Sequence, residues 1–286
     1  MVDYAEAFKR PFLDVKKLFA GTFILVGFFA VLWGASFLVI LSSTQSILAL
    51  AETNAALPEV SMLPLIFLYV LSILLFSVPT GFFARFGLNA AKKSFEIPSW
   101  KNFGALFRDG FFLSVLLWAY SAPIFLVNYL LFGVNQFSLS FSPEAQEAFL
   151  GSILERPLLY MPLLLAVYLL YMYILPIVML SFMETGNFAG GFRLDNIFKK
   201  AFTLKYLGSW ILSIAVTLGL GIILLLMILI LAFTVIGIPL LIIAVPMFFY
   251  VLLLIVSSIY GQAYGEIDGQ FSIPVSRPKM GKFKQK

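Results

Sequence analysis

The residue types that most often do chemistry are scarce in this chain, and those present are poorly placed for it. The sequence has no His and no Cys. That removes imidazole bases, thiolate nucleophiles, disulfides and the usual ligands of zinc, haem and iron–sulfur clusters. Acid–base catalysis would need paired carboxylates. The nearest group, Glu144, Glu147 and Glu155, reads more simply as one solvated face of a short helix. A Ser–Lys dyad would need a lysine among the apolar runs, and every lysine lies outside them. No catalytic residue, metal ligand or cofactor site is assigned, and a non-enzymatic protein is expected.

The elements that carry these residues belong to a membrane. From Tyr206 to Gly265 there are 60 consecutive residues without a charged side chain. One crossing uses about 20 residues, so this stretch holds two, with a break expected at Gly237-Ile238-Pro239, where glycine favours the turn and proline cannot continue a helix. The chain as a whole is 62% hydrophobic and 12% charged, with a mean hydropathy of +1.02. A soluble domain is nearer half apolar and a quarter charged. The 32 Phe residues suit lipid-facing and helix-packing surfaces. The net charge of +5 would suggest nucleic acid in a soluble protein, but its distribution here argues against that partner.

Six membrane-spanning helices are expected, at 19–42, 62–83, 110–132, 157–182, 207–236 and 239–262, in one all-α polytopic bundle over 1–266. The first is expected to remain attached, since its uncharged run exceeds the 7–15 residues usual for a signal peptide. Ser142-Pro143-Glu144 in the 133–156 loop reads as a helix start. The basic tail, 267–286, is expected to be disordered. With six spans, 18 of the 19 Lys and Arg fall on one side and only Arg156 on the other. The positive-inside rule then puts both termini in the cytoplasm, with the cell membrane as the location.

Three basic, aromatic-rich segments precede spans one, three and five, and each is expected to form an amphipathic helix in the membrane interface. In the first, Tyr4, Phe8, Phe12, Val15 and Phe19 recur at helical spacing; in the second, Trp100, Phe103, Phe107 and Phe111; in the third, Leu194, Ile197, Phe198 and Ala201. The pattern of one interfacial helix and two spans suggests a degenerate threefold repeat, with the Lys pairs 16–17, 92–93 and 199–200 as its echo. Anionic headgroups or a protein partner are expected against Lys9, Arg10, Lys16, Lys17, Arg85, Lys92, Lys93, Lys101, Arg193, Lys199 and Lys200. Topology determination alone explains much of the same charge.

Several stretches resemble a known family. "AEAFKRPFLDVKKLFAG" (5–21), "GFFARFGLNAA" (81–91), "IPSWKNFGALFRDGF" (97–111), "GNFAGGFRLDNIF" (186–198), "YLGSW" (206–210) and "IYGQAYGE" (259–266) are similar to segments of the DUF4013 family of archaeal and bacterial membrane proteins. The resemblance implies a prokaryotic multi-span helical protein of unassigned function and supplies no catalytic residues. The long 133–156 loop departs from the family pattern.

Within the spans the clearest signal is packing. Ser213, Thr217 and Gly221 step by four on span five, and Ser257 and Gly261 do so on span six; small residues at that spacing let helices approach closely. Two roles follow. One is a scaffold, assembly or accessory subunit whose basic face holds anionic lipid and a membrane or cytosolic protein. The other is a transporter or lipid-handling protein for an apolar or amphipathic substrate, with Ser77, Thr80, Ser121 and Asn128 in the proline-interrupted spans.

Overall fold

The computed structural model describes residues 3–53, 63–94, 96–132, 157–234 and 237–267, with Glu147, Leu150, Gly151 and Leu154 besides. The order is α1 (Tyr4–Lys9), a 3-10 turn (Arg10–Phe12), α2 (Val15–Thr53), α3 (Leu63–Ala91), α4 (Phe103–Tyr120), α5 (Ala122–Phe132), α6 (Pro157–Thr185), a 3-10 turn (Phe188–Phe192), α7 (Leu194–Ala201), α8 (Leu204–Ala232) and α9 (Gly237–Ile267). No strand occurs among the described residues. Six stretches are long and apolar enough to cross a membrane, supplied by α2, α3, α4 with α5, α6, α8 and α9. The all-α multi-span architecture is as expected.

The helices outrun the apolar runs at their charged ends. Thus α3 continues past residue 83 through Arg85 to Ala91, and α4 begins at Phe103, before Arg108 and Asp109. The third span is broken at Ser121 into α4 and α5, since Pro123 disfavours a straight continuation. The α8–α9 hairpin turns slightly earlier than Gly237-Ile238-Pro239. Helix α8 ends at Ala232, and the Gly237 amide donates to the Thr234 Oγ1 at 2.9 Å. Pro239 then sits in the first turn of α9, where the missing amide hydrogen costs little.

Helices α3 and α9 form the central pair, with α4 packed on α3, α8 on α9, α2 in the groove of the central pair, and α6 against α3, α4 and α9. Glycine sets the two tightest crossings. A Cβ on Gly110 would strike the Ser77 carbonyl, and one on Gly81 the Leu106 carbonyl. A Cβ on Gly261 would strike the Gly87 carbonyl, so α9 meets α3 backbone to backbone. One core lies among α3, α4, α6, α7, α8 and α9, around Leu113, Leu116, Ile177, Leu180, Ile197 and Tyr206. A second joins α2, α3, α9 and the 97–100 segment; there Trp100 stacks on Phe82 with ring centres 4.0 Å apart and planes 6° apart.

Of the three expected interfacial helices, two positions are helical: α1 with its 3-10 turn, and the 3-10 turn with α7. Between α3 and α4 the described residues, 92–94 and 96–102, form no separate helix, and Lys93 has φ 51°. Trp100 was expected on a helical stripe with Phe103 and Phe107. It instead precedes α4 and turns into the core, because stacking on Phe82 buries more of its ring than any surface position would. The Lys pairs also occupy unlike places: 16–17 in the first turn of α2, 92–93 in the turn after α3, 199–200 in the last turn of α7. They therefore mark no structural equivalence between the three units.

Candidate functional site

The start of α2, the end of α3, the start of α4, the end of α6, the start of α8 and the end of α9 gather at one end of the bundle. Polar contacts join them there. The Arg85 guanidinium donates to the Asp109 Oδ2 at 2.9 and 2.6 Å, linking α3 to α4. Arg108 holds the other oxygen of the same carboxylate at 3.2 Å. The Tyr264 hydroxyl donates to the Glu184 Oε2 at 2.6 Å, linking α9 to α6. Lys205 at the start of α8 lies 3.8 Å from Glu266 at the end of α9. Every Lys and Arg of the described residues belongs to this end. Hydrocarbon cannot solvate a charge, so charge is sorted to helix ends and paired where it approaches the core.

The N-terminal segment lies across this end. The Asp3 Oδ1 caps α1 by accepting from the Glu6 amide at 3.0 Å, and the Gln262 Oε1 accepts from the Asp3 amide at 2.9 Å. Ala7 packs against Ile255 and Ile259 of α9. Phe8, Phe12, Val15 and Phe19, the expected apolar stripe, turn outward and are exposed. The outward aromatic stripe runs beside the exposed Lys9 and Lys16. Helix α7 divides likewise: Ile197 and Ala201 pack inward, whereas Leu194 and Phe198 are exposed and Phe202, just beyond, is 72% exposed.

The cations named from the sequence separate into two sets. Lys9, Lys16, Lys92, Lys93, Lys101, Arg193 and Lys199 are exposed. Arg10 and Lys200, expected on the headgroup face, are only 2% and 3% exposed. Arg10 donates from Nε to the Glu6 Oε1 at 2.9 Å and from Nη2 to the Ser94 carbonyl at 2.8 Å, tying the N-terminal segment to the α3–α4 connection. Lys17 donates to the Ile97 carbonyl at 2.7 Å, a second tie to the same connection. Lys200 sits 3.7 Å from Glu184 and 3.8 Å from the centre of the Tyr264 ring, a cation over an aromatic face and beside a carboxylate. Arg85 is spent on Asp109.

The packing residues also separate. Ser257 and Gly261 lie against Gly87 of α3, not against α8. Ser213 is buried and shares a hydrogen bond of 2.5 Å with the Tyr260 hydroxyl. Thr217 is exposed and donates to the Ser213 carbonyl. Gly221, expected at a helix crossing, has nothing within 4 Å of its Cβ position, because α8 meets α9 along a neighbouring stripe. Sequence reasoning missed Asp109, Glu184, Tyr264, Gly81 and Gly110, because the contacts of each are made with another helix, which local spacing does not record. Of the 133–156 loop, Glu147 is exposed; the expected Ser142-Pro143-Glu144 helix start, Glu155 and the 267–286 tail beyond Ile267 lie outside the described residues.

Six apolar crossings closed at one end by a charged, hydrogen-bonded cap define a multi-pass helical membrane protein. Within that class, the family described as protein of unknown function (DUF4013) matches residues 64–233, from the start of α3 to the end of α8. The chain belongs to that family. No curated protein and no solved structure matches it.

Proposed function

We propose that this protein is a non-enzymatic membrane scaffold or accessory subunit, with both termini in the cytoplasm of a prokaryotic cell and its basic end holding anionic lipid and a protein partner. The observation that carries this reading is the pairing of exposed cations with exposed aromatics at one end: Lys9 and Lys16 with Phe8 and Phe12, Lys101 with Phe103, Lys199 with Phe198 and Phe202. Each Lys or Arg near an anionic leaflet contributes about 1 kcal/mol of attraction, and the flanking rings anchor the same surface.

Less supports the transporter reading. Ser77 and Ser121 donate to carbonyls of their own helices, those of Ile73 and Trp118, so neither hydroxyl hydrogen is left for a substrate. The test is affinity purification of the full chain from native membranes after mild crosslinking, read by mass spectrometry, beside solute uptake and lipid scrambling in liposomes. A stoichiometric protein partner and no flux are expected. Flux by the purified protein alone would overturn the proposal.

A further inference from the structure

A crevice of about 430 Å³ opens at the charged end between the start of α4 and the connection from α6 to α7. Its volume is within the range of ligand sites, about 300–1,000 Å³. Arg108, with its side chain 69% exposed, and Asn187 stand at its rim. Phe112, one turn deeper on α4, and Phe188 wall it, with ring centres 6.1 Å apart, and Met183 lines it from α6. The crevice therefore runs from polar to apolar in the direction that the bundle does.

Its charge selects the occupant. Asp109 is held by Arg85 on one oxygen and by Arg108 on the other. The three groups together carry one net positive charge, and the carboxylate is already engaged, so the rim favours an anion over an ammonium. The Asn187 Oδ1 accepts from the Ala189 amide at 3.2 Å, which leaves its NH2 group as a donor on the lining that Arg108 shares. A phosphate is the anion that a planar guanidinium and a neighbouring amide fit, and the phenyl walls below take the glycerol and first acyl carbons.

We infer that this crevice seats the headgroup of an anionic glycerophospholipid, its phosphate on Arg108 and Asn187 and its chains past Phe112. The inference rests on the proposed function only in placing this end beside an anionic leaflet; a lipid seat and a protein partner are read by different measurements and fail separately.

The test uses the purified full chain in detergent, with bound lipids counted by native mass spectrometry and thermal stability followed. Phosphatidylglycerol is expected to bind about tenfold or more tightly than phosphatidylcholine. Arg108→Ala is expected to weaken phosphatidylglycerol about tenfold, while Glu147→Gln, exposed before α6 and off the crevice, leaves it unchanged. Asn187→Asp keeps the oxygen that caps the Ala189 amide and replaces the donor by a repelling carboxylate, so it separates lost binding from lost folding; it too is expected to weaken the lipid. Wild-type affinity in Asn187→Asp, equal binding of phosphatidylcholine, or an equal thermal shift from inorganic phosphate at the same concentration would each overturn the assignment.

Discussion

Arg85 and Asp109 meet at 2.6 Å about one helical turn from the place where Gly81 and Gly110 bring α3 and α4 together. The relation is geometric. Gly81 precedes Arg85 by four residues on α3, and Gly110 directly follows Asp109 on α4, so the glycine contact sets the reach of the ion pair. A pair near the membrane edge keeps more of its attraction than one in water, but only at that geometry.

Substitution at the crossing should therefore act on both features. Gly110→Ala places a methyl on the Ser77 carbonyl, and backbone cannot swing aside as a side chain can. The expected cost is about 1–3 kcal/mol, as for overpacked cores. A double-mutant cycle of Gly110→Ala with Asp109→Asn, read by thermal unfolding in detergent, should show coupling, since the spread helices no longer present Arg85 to Asp109. Strict additivity of the two losses is the result that would disprove the linkage.

Lys200, buried with Glu184 and Tyr264, behaves differently from its exposed neighbour Lys199. Lys200→Met removes the cation and leaves Glu184 half-buried with a carboxylate charge less compensated, at an expected cost approaching the roughly 3–5 kcal/mol seen when a buried pair is broken. The double change with Glu184→Gln should recover most of that, because a neutral amide still accepts from the Tyr264 hydroxyl. Lys199→Met should move the midpoint by a few tenths of a kcal/mol at most, in the range of ordinary surface changes.

Arg10 pins residues 92–102 through the Ser94 carbonyl. Loss of a charged hydrogen bond costs about 1.5–3 kcal/mol, and the effect of Arg10→Ala should be local. Hydrogen exchange at the amides of Ser94 and of Ile97, whose carbonyl Lys17 also holds, should accelerate, while Leu113 and Leu116 in α4 stay protected. Uniform acceleration along the chain would show that Arg10 acts on the whole bundle.

The two small-residue stripes make a paired prediction. Gly261→Ala drives a methyl toward the Gly87 carbonyl and should destabilise, whereas Gly221→Ala meets open space and should stabilise by about 0.5–1 kcal/mol through helix propensity. Unfolding midpoints of the two variants in the same detergent check the sign of each.

These same residues show what was legible beforehand. The crossings could be read because hydrocarbon excludes charge over tens of residues, which leaves a long-range record in composition. Facing could not. Lys199 and Lys200 are adjacent, yet about 100° apart around a helix, so one reaches water and the other the core, and their shared side-chain chemistry gives no hint of which. Gly221 and Gly261 have the same small-residue spacing, but only Gly261 lies against another backbone. Trp100 left its apparent stripe because Phe82, 18 residues earlier, offered a ring to stack on. The basic end was legible as a region; Asp109 and Glu184 were missed because their partners come from other helices.

Orientation can be tested directly, because the chain has no cysteine and single introduced thiols report without background. Lys92→Cys and Lys199→Cys lie at the charged end and Glu147→Cys in the loop before α6, and all three native side chains are exposed. If the basic end faces the cytoplasm, an impermeant maleimide applied to intact cells should label Glu147→Cys alone, and permeabilised cells should label all three. The charge asymmetry supplies the expectation: returning several Lys and Arg across an energised membrane costs about 2.3 kcal/mol per charge at 100 mV, which over this many residues leaves one orientation. Labelling of Lys92→Cys from outside would invert the topology and remove the anionic inner leaflet from the argument for lipid binding.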